Sequence, residues 1–411
     1  MTVLFFAVVA AVATATNYVL QPELSLVAND LNSTVPAVGA AAAAALVGYL
    51  LGLALLVPLV DRIKANVLIA VELIALSGGL LVAATSHGVV QLAWGFLAIG
   101  ACAACGAQMS TLAAKLAGDG RRGRAVGAVT AGISAGILVG RLAGGALTDA
   151  VGWRAMLMVF GGIALLLAGV TAAVLRRSSD VMATAGYLST IRTLPRLLAT
   201  ERLLRRSAVA GALWFCSFSL VWTGLAVALA LPPLHLSPQA VGLFALSGAL
   251  GVFVTPFAGR WADTVGSRRV ILGGLTTAFV CIVAMTFALH FLTVLAILLA
   301  FFDAGLFTAQ VGNQSRVFGI DVKQPARFNS AYMVVYFVGG SIGTGAAAAC
   351  VTFAGWQFVL VLAAIAILAA AGSARVFHVK HARQPGQAPE RDHESVFHVK
   401  RRAIARSIRR P

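Results

Sequence analysis

Runs of about 20 apolar residues recur along almost the whole chain, and they restrict it to one kind of fold. A helix of that length crosses about 30 Å of hydrocarbon, the thickness of a bilayer core. Hydrophobic residues make up 60% of the 411 positions and charged residues only 11%, a composition that excludes a water-soluble protein. We therefore predict an all-α membrane protein with about twelve transmembrane helices.

Basic residues concentrate in every second loop between these runs. The formal net charge is +17, and Lys and Arg cluster near residues 62–64, 121–124, 176–206, 260–269 and 323–327, whereas the intervening loops have almost none. Cytoplasmic loops of membrane proteins carry such an excess, so both termini are predicted to be cytoplasmic. The charge therefore indicates topology and not a nucleic-acid partner. The first apolar run lacks the basic n-region of a signal peptide and is expected to remain as the first span.

The stretch from Arg124 to Arg154 carries two stripes on one predicted helix. At 100° per residue, four polar side chains fall within about 40° of one line: Thr130, Ser134, Arg141 and Thr148. A second stripe has glycine at every fourth position, a spacing that lets a neighbouring helix approach closely. Because an arginine within the membrane is costly, Arg141 is predicted to face protein or a hydrated cavity. The predicted packing glycines are Gly132, Gly136, Gly140 and Gly144.

The same stretch resembles the fifth-helix signature of major facilitator superfamily exporters. Arg141 stands where drug antiporters of that superfamily usually have proline, and Gly152-Trp153-Arg154 follows. This version is more similar to the sugar- and nucleoside-efflux branch, which contains arabinose efflux permeases and purine ribonucleoside efflux pumps. The segment around Gln21 and Pro22 resembles the first helix of that branch, and Gln108 matches a glutamine in it. The positions that carry the signature are Gly127, Gly136, Gly140, Arg141, Gly144 and Gly145.

The chain repeats part of itself at a constant offset of 203 residues. Arg124, Gly136, Gly140, Gly152 and Trp153 recur as Arg327, Gly339, Gly343, Gly355 and Trp356. Parallel internal repeats are typical of this superfamily, so we predict the major facilitator fold, with two pseudo-symmetric six-helix bundles. The expected domains are 1–175 for the N-terminal bundle, 176–206 for a cytoplasmic connector, 207–373 for the C-terminal bundle and 374–411 for a basic, disordered cytoplasmic tail.

Two loops match the pattern that, by resemblance, latches the cytoplasmic gate. The better copy reads G-x-x-x-D-x-x-G-x-R-R from Gly259 to Arg269, and a degenerate copy surrounds Asp61. An Asp at a helix start is stabilised by the helix dipole, and an Arg pair can bridge to the neighbouring bundle or to lipid phosphate. The predicted gating residues are Asp61, Arg62, Gly259, Asp263, Gly266, Arg268 and Arg269.

The resemblance implies a substrate site at the membrane midplane between the two halves. Asp303 is predicted to couple protons, because protonation cancels an expensive buried charge; a buried structural pair is the alternative. Glu72 is a second candidate for coupling, with a structural ion pair or snorkelling as its alternative. The predicted substrate-binding residues are Asn17, Gln21, Gln108, Arg141, Trp222, Gln314, Tyr332 and Tyr336.

These features predict a secondary transporter of the prokaryotic inner (plasma) membrane, which exports a small solute by proton-coupled alternating access. An importer or uniporter of an anionic molecule, using Arg141, is the alternative. A polytopic membrane enzyme is a third class, but the chain has no G-x-x-x-x-G-K-[ST], no H-E-x-x-H and no membrane His cluster. The C-x-x-C at Cys102 and Cys105 has no further Cys or His nearby, so we expect no metal or cofactor. The expected partners are the substrate, protons and the bilayer, and the expected state is a monomer.

The basic tail contains the quartet Phe-His-Val-Lys twice, ending at Lys380 and Lys400. One interpretation is a repeated motif that docks on anionic lipid. The other lies in the gene, because TTT CAC GTG AAA encodes this quartet and is its own reverse complement. A repeated DNA element would then force the peptide repeat without selection on the peptide.

Overall fold

Helices account for the regular secondary structure in the part of the chain that the computed structural model describes, which is residues 2–61, 63–116, 122–174, 195–320 and 325–375. Three short 3₁₀ turns, Gln21–Glu23, Val57–Asp61 and Phe244–Gly248, join or extend them. The α-helices are α1 Thr2–Ala15, α2 Leu24–Asp30, α3 Val35–Leu55, α4 Ala65–Ala84, α5 Val89–Ala103, α6 Cys105–Leu116, α7 Arg122–Val151, α8 Trp153–Val174, α9 Arg202–Ala230, α10 Pro238–Leu243, α11 Ala249–Val265, α12 Ser267–Met285, α13 Leu292–Phe318 and α14 Pro325–Arg375.

These helices form twelve membrane spans within the described residues. Ten segments are long and apolar enough to cross a bilayer. One of them lies in α14, which turns sharply at Gly355 (φ 82°) and therefore supplies two spans. The remaining span is the apolar α1, continued through a break into α2. The predicted all-α, twelve-helix membrane fold is confirmed.

The first span is broken near its middle, and Pro22 stands at the far side of the break. The α-helix ends at Ala15, and a 3₁₀ turn begins at Gln21 with Pro22 in its first positions. Proline lacks the N–H for the helical ladder, and its ring clashes with the preceding turn. The irregular backbone extends upstream from Pro22 to residues 16–20, beyond the reach of the proline ring itself.

The glycine stripe of α7 lies directly against the backbone of the first span. A Cβ built on Gly136 would sit 2.3 Å from the Ala11 carbonyl oxygen, and one on Gly140 would sit 2.4 Å from the Ala15 oxygen. Gly132 and Gly144 meet the oxygens of Ala7 and Val19 in the same way. Side chains are excluded at these positions because they would overlap backbone atoms.

The second half repeats this contact with different residues. A Cβ on Gly339 of α14 would lie 2.1 Å from the Ala212 oxygen of α9, and one on Gly343 would lie 2.4 Å from the Cys216 oxygen. Gly152 and Gly355, also related by the sequence repeat, both turn the chain with positive φ, 84° and 82°. The internal repeat is thus visible in both helix packing and backbone conformation.

The two ends of the helix assembly differ, and we name them by one residue each. The Asp30 end contains residues 31–34, 85–88, 152, 231–237, 286–291 and 355, and the Lys64 end contains residues 63–64, 266, 319–320 and the start of α9. The helix α9 begins at Arg202, ahead of the predicted boundary of the C-terminal bundle at residue 207, and its exposed Arg202 and Arg205 are residues that favour helix. Most of the predicted connector, residues 175–194, and the tail beyond Arg375 lie outside the described residues.

Candidate functional site

Arg141 lies between the two halves, almost sealed from solvent at 4% exposure. Its Nε donates a hydrogen bond to Gln21 Oε1 at 2.8 Å, at the break of the first span. Its guanidinium carbon lies 3.9 Å from the centroid of the Trp222 ring, with Tyr18 and Phe218 at 5.2 and 5.6 Å. Its Nη2 is buried and has no hydrogen-bond partner among the described residues.

Trp222 of α9 connects this arginine to an acid in the opposite half. Its indole Nε1 donates to Asp303 Oδ1 of α13 at 3.0 Å, and Asp303 is only 1% exposed. Within the described residues no salt bridge joins Arg141 to Asp303, although each lies in the electrostatic field of the other. The Trp222 side chain therefore contacts a buried guanidinium with its ring face and a buried carboxylate with its edge. We call Gln21, Arg141, Trp222 and Asp303 the central cluster.

Glycine makes room for the carboxylate on α13. A Cβ on Gly248, in the 3₁₀ turn Phe244–Gly248, would lie 3.0 Å from Asp303 Oδ2. One on Gly251 of α11 would meet the Asp303 Cβ at 3.2 Å. The span formed by α10, this turn and α11 is thus 3₁₀-helical, and not α-helical, where it passes Asp303.

At the Asp30 end the two halves touch each other. Gln21 Nε2 donates to Thr223 Oγ1 at 3.4 Å, and the backbone N–H of Gln239 donates to Asp149 Oδ2 at 3.1 Å. The start of α10 approaches α7 so closely that a Cβ on Gly145 would lie 2.3 Å from the Pro238 oxygen. These contacts close the Asp30 end above the central cluster.

Towards the Lys64 end the same face of α7 becomes accessible. Thr148 and Arg141 are each 4% exposed, Ser134 is half-buried and Thr130 is exposed. A narrow cleft lies between the halves and is lined by Ser134, Arg141, Phe218, Asp303 and Phe307 among others. The polar stripe predicted on this helix therefore leads from the open end to the central cluster.

Aromatic and amide side chains surround the C-terminal side of this cleft. Tyr332 is fully buried, and its hydroxyl donates to Gln310 Oε1 at 2.6 Å. The same oxygen accepts from Trp214 Nε1 at 3.0 Å. Tyr336 stacks on Phe215 with ring centroids 4.2 Å apart and planes at 5°. The two predicted tyrosines therefore belong to one ordered wall.

Four other predicted residues lie apart from the central cluster. Gln314 donates to Asn329 Oδ1 at 3.1 Å, further toward the Lys64 end. Gln108 Nε2 donates to Glu72 Oε1 at 2.8 Å, and both side chains are buried between the third and fourth spans. Asn17 is half-buried in the break of the first span, with Oδ1 unpaired. Within the described residues no hydrogen bond or ring contact joins these side chains to Trp222 or Asp303.

The predicted gating loop is a tight turn between α11 and α12. Gly266 adopts φ 88°, a left-handed conformation that favours glycine, and the next helix begins at Ser267. Gly259 is half-buried, and Asp263, Arg268 and Arg269 are exposed at the Lys64 end. Of the first-half copy, Asp61 ends a 3₁₀ turn, and Arg62 lies outside the described residues.

No group of three or more His, Cys, Asp or Glu side chains suited to a metal ion occurs in the described part of the chain. Its five cysteines are free. The site can therefore offer one carboxylate, one guanidinium, amides and aromatic faces.

The family model described as Major Facilitator Superfamily matches residues 6–233 and 209–411. The chain belongs to the major facilitator superfamily. It is therefore a multi-pass membrane transporter of a small molecule and not an enzyme.

Relatives and one solved structure agree with this assignment. The chain is 30% identical over 357 residues to the uncharacterized transporter YgaY of Escherichia coli, covering 86% of this chain and 90% of that one. It is 29% identical to the probable transporter SCO4007 of Streptomyces coelicolor, with coverage of 86% and 82%. Its fold matches a bacterial homologue of the human lysosomal transporter Spinster, in an inward-facing and unoccupied conformation, with TM-score 0.69 and 14% identity over 91% and 92% of the two chains.

Several residues of this transporter's central region were absent from the sequence-based site. Phe218 lies between Trp214 and Trp222 at four-residue spacing, so this aromatic stripe on α9 was visible in the sequence. Gln310 shares a helix face with Asp303 and Gln314, a second available signal. Tyr18 and Thr223 carried no signal, because their roles depend on which helices face each other.

Proposed function

We propose that this transporter exports a small solute across a prokaryotic inner membrane in exchange for protons, with Asp303 as the proton-carrying group. The observation that carries the proposal is that Trp222 contacts both Arg141 and Asp303, while no salt bridge joins the two charges within the described residues. A carboxylate buried in the membrane is costly unless it is paired, hydrated or protonated. Asp303 has one hydrogen bond, from Trp222, and no salt bridge to Arg141 within the described residues, so a proton would relieve an incompletely compensated charge.

Protonation of Asp303 would also change the contacts that cross between the halves. A hydrogen bond to a charged acceptor is about twice as strong as one to a neutral acceptor. A proton on Asp303 would therefore weaken its hydrogen bond with Trp222. The ring on which Arg141 rests would then be held less firmly. Arg141 in turn bonds Gln21, which bonds Thr223 in the other half. A chain of contacts thus links the protonation state of Asp303 to the closed Asp30 end.

The substrate site in this proposal is the cleft between the halves. Its walls offer the aromatic face of Phe218 and the guanidinium of Arg141, whose Nη2 has no hydrogen-bond partner among the described residues. The amide of Gln21 bonds the same guanidinium. Aromatic faces with a few placed polar groups suit a small, partly planar, polar solute. Gln314 and Asn17 lie at greater distance and would contact the solute on its way in or out.

The test is transport of labelled solutes into inside-out vesicles, with and without a pH gradient, for the natural protein and Asp303→Asn. Asparagine imitates the protonated carboxyl, so gradient-driven flux should be lost while exchange or binding remains. Full gradient-driven transport by Asp303→Asn would move coupling elsewhere. Glu72→Gln and Glu23→Gln would then identify the acid, since Glu23 is also buried and accepts a hydrogen bond from Thr148 Oγ1.

A second candidate function rests on Arg141. Its Nη2 is buried and unpaired, so an anionic solute could supply the missing acceptor. The protein would then be an importer or uniporter of an anionic molecule. Flux that follows the solute gradient regardless of pH, and that favours anions over neutral analogues, would support this alternative over export.

A further inference from the structure

A long groove follows the outer surface of the second half, away from the transport cleft. It measures about 1120 Å³, counted to its open side, and runs between α11 and α12 over α13. Phe301 on its floor is two positions from Asp303 and therefore points about 160° away from the cleft. Its walls are apolar or small; they include Leu250, Val254, Gly273, Thr277, Phe301 and Ala304.

The floor of the groove is sealed by direct backbone contact. A Cβ on Gly274 of α12 would lie 2.3 Å from the Gly305 oxygen, and one on Gly305 of α13 would lie 2.6 Å from the Gly274 oxygen. By contrast, a Cβ on the neighbouring Gly273 would meet nothing within 4 Å. The groove is thus closed on the side of the protein interior, and it opens only toward the surface that faces lipid.

One end of the groove carries a positive charge and an aromatic ring. Arg269 lines it at the Lys64 end and is exposed, and its guanidinium has no hydrogen bond or ion pair to any described residue. Trp261, 50% exposed, lines the same end. Tryptophan is enriched at the boundary between headgroups and hydrocarbon, and basic side chains there attract anionic headgroups.

We propose that this groove binds one anionic phospholipid, with an acyl chain along α12 and the phosphate on Arg269. The charge at one end and the apolar trough behind it match the two parts of such a lipid. From Arg269 to Thr277 the helix rises about 12 Å, close to half of the roughly 30 Å hydrocarbon thickness. The trough therefore has the depth of one leaflet, and Arg269 stands at the level of its headgroups.

The bound lipid also bears on the gating loop. Arg269 is the last residue of the G-x-x-x-D-x-x-G-x-R-R pattern, and it follows the turn at Gly266. A phosphate held by Arg269 would favour the conformation in which this side chain faces lipid. The proposal is independent of the transported solute and of Asp303.

Native mass spectrometry of the full chain, with phosphatidylglycerol and phosphatidylcholine as probes, tests the site. The natural protein should bind one phosphatidylglycerol more tightly than phosphatidylcholine. Arg269→Gln should weaken the binding of phosphatidylglycerol about fivefold, since one basic residue is lost, and should leave the binding of phosphatidylcholine unchanged. Gly273→Leu should fill the trough and remove this binding for both lipids. Thr277→Phe fills it one turn further along and replaces Gly273→Leu if that variant gives poor yield.

Matched controls keep the test specific. Arg202→Gln removes an exposed arginine at the same end, and Gly162→Leu adds the same side chain at an exposed glycine of α8. Neither should change lipid binding. Equal binding by Arg269→Gln and the natural protein, or equal losses in Gly273→Leu and Gly162→Leu, would overturn the proposal. Displacement of the lipid by excess inorganic phosphate would also overturn it, because a free anion would then be the occupant. A dimer that dissociates in the Gly273→Leu variant would do the same, because a second chain would then occupy the groove.

Discussion

Trp222 donates its indole N–H to Asp303 across 3.0 Å, and the face of the same ring lies 3.9 Å from the Arg141 guanidinium carbon. One side chain thus uses its edge for the acid and its face for the base. An aromatic ring carries positive potential at its edge and negative potential on its face, so both contacts are favourable at once. The two buried charges are linked without forming an ion pair.

Trp222→Phe separates these two contacts. Phenylalanine keeps a ring beside Arg141 but has no N–H for Asp303. A hydrogen bond to a charged group contributes about 1.5–3 kcal/mol, so gradient-driven transport should fall about ten- to a hundredfold in inside-out vesicles. Trp214→Phe is the matched control on the same helix, because it loses a bond to Gln310 instead. Undiminished dependence on the pH gradient in Trp222→Phe would remove Trp222 from coupling.

Arg141→Ala should insert into the membrane and fold, yet lose transport. The arginine contacts the central cluster through Gln21 and Trp222 and leaves Nη2 unpaired, which indicates a role beyond holding helices together. Arg141→Lys keeps the charge but not the planar group that stacks on Trp222, so its transport should be reduced as well. The measurement is vesicle transport normalised to the amount of monodisperse protein. If Arg141→Ala disappears from the membrane while Arg141→Lys keeps full transport, Arg141 would instead be a structural counter-charge.

The sequence predicted the helices because long apolar runs and loop charges report directly on the membrane. It also identified the face of α7 that bears Arg141, since a helix has a fixed angular period. It did not reveal that Gln21 and Trp222 are the residues that Arg141 meets. Those contacts join segments far apart in the chain, and helical periodicity says nothing about which faces oppose each other across a bundle.

Glu72 and Gln108 illustrate the same limit. Each was a candidate on its own, one for coupling and one for substrate binding. The structure joins them by a 2.8 Å hydrogen bond between neighbouring spans of one half. A short, buried pair of this kind could not be read from two positions 36 residues apart.

Topology can be tested at loops of both ends. A reporter fused after His87, His235 or His290, all at the Asp30 end, should read as external. Fusions after Gly120, Gly186 or Gln384, positions outside the described residues, should read as internal, because the basic loops are predicted to be cytoplasmic. Compartment-specific reporters such as an alkaline phosphatase and a green fluorescent protein provide the readout. Clean inversion at two of these six sites would contradict cytoplasmic termini.

Gly140→Ala should destabilise the protein, whereas Gly127→Ala on the same helix should not. The new Cβ at Gly140 would lie 2.4 Å from the Ala15 backbone oxygen, and no flexible side chain is available to give way. Overpacking of this kind costs about 1–3 kcal/mol, so the apparent melting temperature in detergent should fall. At Gly127 nothing lies within 4 Å, and alanine favours helix over glycine, so stability should stay equal or rise. Gly343→Ala, which would meet the Cys216 oxygen at the same 2.4 Å in the second half, should behave like Gly140→Ala. Equal melting temperatures for all three variants would mean that α1 and α9 can move away from the glycine stripes at little cost.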